Sequence, residues 1–308
     1  MSTSTFSRTP HGGPSRTGPS PAAGSPAPAG RRKRRRRSRP VLNAIAVLAA
    51  LVWVFPVYWM VNTALVPTSE LFTLTPRFVP FPTSFEHFSG VLRDEKFWSA
   101  LRMSAIVALV VVVLAVLFGF LAAVAVSRFR FRGRGALIML VILVQMLPAE
   151  ALFISQFRML DDWNLLSSVP GLSLLCLGGI VPFTVWLLRG FIDGVPVELE
   201  EAAMVDGCSR VGAFFRVTLP LLGPGLVTSS VFAFLHTWNE YNLALIVMTK
   251  TDHATLPLWL RSFSSETSAT DWGGVMAGST LIAVPVIALF LSVHSRMGSG
   301  LVAGAVKG

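Results

Sequence analysis

The chain has 308 residues, of which 53% are hydrophobic and only 14% charged, and its mean hydropathy is +0.63. A soluble domain carries about 25% charged residues, so this balance excludes an ordinary water-soluble protein and makes lipid the solvent for much of the chain. The net charge of +10 does not mark a binding face, because eight of the 26 Lys and Arg residues lie between Arg31 and Arg39 and the remainder is close to neutral.

Residues 1–30 are mostly Ser, Thr, Pro, Gly and Ala. They offer too little apolar surface to offset the entropy of ordering, so a disordered segment is expected. The run RRKRRRRSRP follows, and an apolar stretch begins at once from Val41. Beside such a stretch the basic run reads as a positive-inside anchor rather than a nucleic-acid patch. The stretch is long and lacks a small-residue cleavage site after it, which argues against a signal peptide. Residues 1–40 are thus expected to be a disordered, cytosolic basic tail, and 41–308 a membrane domain.

About 20 apolar residues are needed to cross the hydrocarbon core as a helix. Six stretches qualify: Val41–Leu65, Met103–Val126, Ala136–Phe157, Val169–Leu188, Leu221–Met248 and Trp272–Val293. The predicted fold class is all-α and polytopic, with about six transmembrane helices. Prolines 56, 148, 182 and 285 lie inside these runs, where neighbouring helices can satisfy the freed carbonyls. With the N-terminus in the cytosol, the inner segments hold 19 Lys and Arg and the outer ones 6. That asymmetry places both termini on the cytosolic side. The SRFRFRGR run at 127–134 falls inside and reads as a topology signal, with anionic lipid as another use.

Few residues point to chemistry. Cys176 falls in a span and Cys208 in an inner loop, no CxxC occurs, and the five histidines show no ligand spacing. Glu150 and Glu240 are the acidic residues within the predicted spans. Such groups are costly in hydrocarbon and face a partner or cavity. For Glu150, near a span end, and for Glu240 a structural role is the favoured reading. The tryptophans read as an interfacial aromatic belt rather than sugar platforms.

The longest inner connection is 193–220, DGVPVELEEAAMVDGCSRVGAFFRVTLP. Pro196 suits a helix start, and Glu198, Glu200 and Glu201 suit the positive end of its dipole. Asp206-Gly207 stops the helix, with Gly207 free to take a left-handed conformation. Ser209 can cap a second short helix over Arg210–Val217, ended by Leu219-Pro220. A helix lying on lipid is usually rich in Lys and Arg. This one presents Glu198, Glu200, Glu201 and Asp206, which suits docking to a protein with basic groups.

The pattern Glu201-Ala202-Ala203, Asp206-Gly207 and Leu219-Pro220 resembles the EAA loop of permeases from binding-protein-dependent ABC importers. Trp238-Asn239-Glu240-Tyr241 with Ala244-Leu245, Thr255-Leu256-Pro257, Thr270-Asp271-Trp272-Gly273 with Met276-Ala277, and the ending from Gly300 to Gly308 are similar to the carbohydrate branch, the maltose-type inner subunit among them. The resemblance covers roughly 41–308 and leaves the tail outside it.

The resemblance implies a permease subunit rather than an enzyme, forming half of a pathway for a sugar or oligosaccharide in a bacterial cell membrane. Glu201, Ala202, Ala203, Asp206 and Gly207 would contact a cleft of a cytosolic ATPase, and Leu219-Pro220 would complete the motif. Cys208 departs from the small residue, such as Ala, often found there. Implied partners are a second permease, an ATPase dimer, an extracellular solute-binding protein and membrane lipid, with no nucleic acid. The chain has no GxxxxGK[ST] phosphate loop around any of its four lysines. No cofactor is therefore expected on this chain, and ATP would bind the partner ATPase. The same architecture serving a polyamine or amino acid, and a stand-alone channel or secondary carrier, stay open as alternatives. No solute-contacting residue is identified.

Overall fold

The structure is a computed structural model that describes residues 39–73, 75, 77–264 and 269–305. Residues 1–38, nearly all of the expected tail, lie outside the described residues, as do 306–308 of the C-terminal ending. In chain order the helices are α1 (Arg39–Ala64), α2 (Glu86–Arg93), α3 (Glu95–Arg128), α4 (Arg134–Gln145), α5 (Phe153–Asp162), α6 (Val169–Asp193), α7 (Val197–Val205), α8 (Arg210–Ala213), α9 (Leu219–Leu221), α10 (Gly223–Trp238), α11 (Asn242–Val247), α12 (Leu256–Leu260) and α13 (Trp272–Ala305). The described residues contain no strand.

By internal contacts the chain divides into Met1–Val52 and Trp53–Gly308. In the first unit, the described residues open α1, with exposed apolar side chains such as Leu48 and Val52, each 64% exposed. Water would penalise that surface and hydrocarbon does not. The second unit holds the remaining helices.

Among the described residues, four helices are long and apolar enough to cross a membrane: Pro40–Ala64, Glu95–Arg128, Val169–Asp193 and Trp272–Val293. Two bent pairs raise the number to six if each counts as one span. The expected third span, Ala136–Phe157, carries a sharp break. Arg134–Gln145 turns by 90° into Ala149–Asp162. Pro148 lacks an amide donor and disfavours helical backbone at Leu147, so the chain leaves the helix there. Glu150 sits exposed in the short 3₁₀ turn that follows.

The expected fifth span, Leu221–Met248, is also shorter than predicted. Its helix α10 ends at Trp238, and α11 is a separate piece. Three residues at the corner hold the break. Trp238, 2% exposed, donates its indole N–H to the Ile282 carbonyl of α13 at 3.2 Å. Asn239 donates back to the Leu235 carbonyl at 2.8 Å. Glu240 accepts from the Leu243 amide at 2.8 Å and so satisfies a free donor in the first turn of α11. Glu240 is thus a structural hydrogen-bonding residue.

Helix α3 packs against α6, and α10 packs against both. Three buried clusters follow this stack. One has Phe97, Trp238, Leu256 and Trp259; the next has Val107, Val111, Leu172, Cys176 and Ile180; the third has Ala123, Leu188, Ile192, Val195 and Leu222. The α3–α6 crossing depends on Gly119. A Cβ there would lie 2.5 Å from Thr184 Cγ2, and Thr184 is fully buried. Small residues at such crossings let membrane helices approach closely. Cys176 is buried in α6, and Cys208 is partly exposed in the α7–α8 connection; neither is disulfide-bonded. Trp98, Trp163 and Trp272 are exposed at or beside helix ends, where the aromatic-belt expectation places them, whereas Trp53 is exposed at the middle of its span and Trp238 and Trp259 are core residues.

On the predicted outer side, Glu86 accepts the Thr68 amide and hydroxyl, each at 2.7 Å. These bonds, the amide first, hold its carboxyl below the ordinary value of 4.5. A depressed carboxyl stabilises the fold above its unfolded pKa and loses that contribution as pH falls through the folded value. The Thr68–Glu86 tie is therefore expected to weaken only below about pH 4.5. Protection of the Thr68 amide from hydrogen exchange, corrected for intrinsic rate, should drop there in the wild type. In Glu86→Gln it should show no such step.

Candidate functional site

The 193–220 connection builds a compact helical hairpin at one end of the α3–α6 pair. Pro196 occupies the position just before α7, and its fixed φ of −57° leads into the helix. At the other end, Gly207 has φ +93°. The Cys208 amide bonds the Ala203 carbonyl at 3.0 Å and the Gly207 amide bonds the Met204 carbonyl at 3.1 Å. This is a Schellman closure, which satisfies two carbonyls that the helix end leaves free. A side chain at Gly207 would meet nothing within 4 Å, so the constraint is backbone conformation alone. Ser209 caps α8, its hydroxyl accepting from the Gly212 amide at 3.1 Å. Both local expectations, the glycine stop and the serine cap, hold.

Leu219-Pro220 does not end the second helix, as had been expected. The backbone widens into a π-helical turn over Phe214–Thr218 and runs on into α9. A proline clashes with the carbonyl four residues back, and the wider turn gives Pro220 room. The bend comes later, 64° between Arg210–Leu221 and Gly223–Trp238.

The loop has two faces. Glu198, Glu201, Ala202, Met204, Val205, Asp206 and Gly207 are exposed, and Ala203 is half-buried. Val205 is 87% exposed, and Val211 and Phe215 are 67% and 56% exposed. Exposed apolar groups thus lie beside carboxylates on this loop. Glu201, Ala202, Asp206 and Gly207 share this exposed stretch, while Leu219 is half-buried and Pro220 exposed beyond the π-helical turn.

Glu200 does not belong to the exposed face, contrary to the expectation that it presents a carboxylate outward. It is 6% exposed. Its Oε1 accepts Arg128 Nε at 2.9 Å and the Thr218 hydroxyl at 2.7 Å. Arg128 also donates Nη2 to the Val195 carbonyl at 3.0 Å. Arg128 is the last residue of α3, so one ion pair ties together α3, the start of α7 and the π-helical turn. Removing one partner of such a buried pair costs about 3–5 kcal/mol, because the other is left uncompensated. Sequence reasoning missed this pair. Arg128 looked like one of four topology arginines, and Glu200 like one of three dipole-complementing glutamates.

Comparison with known proteins gives a consistent set of relatives. The family profile described as binding-protein-dependent transport system inner membrane component matches residues 115–298. The diacetylchitobiose uptake system permease protein of Streptomyces coelicolor is 42% identical, covering 86% of this chain and 96% of that protein. The trehalose transport system permease protein of Mycobacterium tuberculosis is 33% identical, covering 87% and 96%. Among solved structures, one chain of a bacterial ABC transporter that imports the acidic polysaccharide alginate superposes with a TM-score of 0.72 at 22% identity. That match covers 85% of this chain and 98% of the other.

Proposed function

This chain belongs to the family of binding-protein-dependent transport system inner membrane components, and from that premise we propose that it forms half of the translocation pathway of an ATP-driven importer for a sugar or oligosaccharide. It is a transport component rather than an enzyme. The observation that carries the coupling role is the exposed face of α7 and its turn, where Glu201, Ala202, Val205 and Asp206 lie together. The small side chain of Ala202 lets the helix enter a groove of a cytosolic ATPase. Glu201 offers a carboxylate to donors there, and Gly207 sets the turn that shapes the docking element.

The partners in this reading are a second permease subunit, an ATPase dimer that binds ATP, and an extracellular solute-binding protein. Both termini lie in the cytosol. ATP closes the ATPase dimer, the docked loops move with it, and the bundle passes from inward-open to outward-open. Such coupling requires that nucleotide and solute bias the same two global states.

The carbohydrate assignment rests on relatives that carry diacetylchitobiose and trehalose in their names. Uptake of radiolabelled short oligosaccharides by cells with and without the gene tests it. The expected result is gene-dependent uptake of at least one oligosaccharide, with polyamine and amino-acid uptake unchanged. Gene-dependent uptake of a polyamine or amino acid alone would overturn the carbohydrate assignment and leave the permease architecture standing.

A further inference from the structure

The contacts of α3 reach further than the docking surface. At its Arg128 end, the Arg128–Glu200 pair and the Thr218 hydroxyl fasten the coupling hairpin to the helix. Side chains of the pair are 11% and 8% exposed, so water does not screen it as it would a surface pair. At its other end, α3 is fastened just as directly to the segment Leu256–Phe263. Asp94, the N-cap of α3, accepts the Trp259 indole N–H at 2.9 Å. Ser104 accepts the Leu256 amide at 2.8 Å. The Phe97 and Trp259 rings lie 5.1 Å apart, and Leu256 and Trp259 are buried. Between the two fastenings runs an unbroken helix of 34 residues without an internal proline, about 50 Å long at 1.5 Å per residue.

We infer that Arg128 and Glu200 are positioning residues that make α7 and α3 one moving part, so that displacement of the docked loop is delivered along α3 to the outer segment Leu256–Phe263. The inference rests on the reading of α7 as an ATPase-docking element. It assigns this transmission to a pair that touches neither ATPase nor solute. Thr218 adds the following helix to the same node, because its hydroxyl bonds the carboxylate oxygen that Arg128 also holds.

The test uses the complex as it co-purifies in mild detergent, in a Cys208→Ala background, with a fluorophore on Ser262→Cys in the exposed outer segment. In the wild-type pair, MgATP is expected to shift the fluorescence. In Glu200→Ala, ATPase recovery and basal hydrolysis should stay within about twofold of the wild-type pair, while the MgATP-dependent shift falls at least fivefold. Arg128→Lys, which keeps a cation, should retain about half the shift, and the charge exchange Arg128→Glu with Glu200→Arg should recover more of it than either single change. If Glu200→Ala does not accumulate, Glu200→Gln takes its place; it keeps the shape and an acceptor for Thr218 and should lose at least half the shift. A full shift in both glutamate variants would overturn the inference, as would a loss of ATPase binding in proportion to the loss of the shift. Absence of any ATPase from the wild-type complex would instead overturn the docking reading, a result separable from the others.

Discussion

Replacing Ala202 with tryptophan is expected to abolish recovery of the ATPase with this chain while leaving the chain itself folded. Ala202 is exposed on α7, and its carbonyl bond to the Asp206 amide involves backbone atoms that the change does not touch. Exposed substitutions of this kind alter folding by about 0.5 kcal/mol or less. In the proposed docking, a groove that takes the Ala202 methyl would not admit an indole without displacing the helix, and central interface positions are worth about 2 kcal/mol or more. That corresponds to a loss of affinity of roughly 30-fold. Melting temperature in detergent should be unchanged, and the amount of co-purifying ATPase should fall below detection. A parallel loss of melting temperature would show that Ala202 is a packing residue.

The second large effect is expected at Gly119. Its substitution by leucine should lower the yield of membrane-inserted protein severely, and substitution by alanine should lower the melting temperature by several degrees. The first added carbon already lies 2.5 Å from Thr184 Cγ2 and 2.9 Å from its Cβ. Thr184 is fully buried and its hydroxyl is bonded to the Ile180 carbonyl, so it has little freedom to yield. Overpacking of this sort costs about 1–3 kcal/mol or more. Adding Thr184→Ala to Gly119→Ala should recover part of the loss, since the nearer of the two clashing atoms is gone. No recovery in the double variant would place the strain elsewhere.

What the sequence made legible was local or compositional. The 193–220 hairpin was readable because its determinants lie within a few residues of one another. Gly207 closes α7 through bonds to Ala203 and Met204, and Ser209 caps α8 three residues before its partner. The four unbroken spans were readable because hydrocarbon demands a long apolar helix, and length and composition report that directly. The broken third span was not. Pro148 stands within an apolar run, and a proline there is compatible with either a tolerated kink or a full turn, depending on neighbours that the run does not reveal. The fifth span failed for a similar reason, since the Trp238 bond to Ile282 that helps fix its corner spans 44 positions.

Glu200 illustrates the limit at the site. Three glutamates in four residues look alike at the start of a helix, and the helix dipole favours them all. Only the fold, which brings Arg128 from 72 residues away, separates the buried Glu200 from the exposed Glu198 and Glu201. The Leu219-Pro220 dipeptide was a stop signal by propensity, and the π-helical turn before it absorbs the proline without a stop. Residues of the hairpin were thus found by motif, while their division into an exposed face and an anchoring face came from tertiary contacts.

The most direct test of the account is the identification of every chain that co-purifies with this protein from its native membrane in mild detergent, with ATP hydrolysis measured on the same sample. A second permease-like chain and an ATP-hydrolysing subunit are expected, both present with wild type and the latter lost with Ala202→Trp. Recovery of this chain alone or only with copies of itself, without ATPase activity under any condition, would contradict the importer reading and leave a stand-alone channel or carrier in its place.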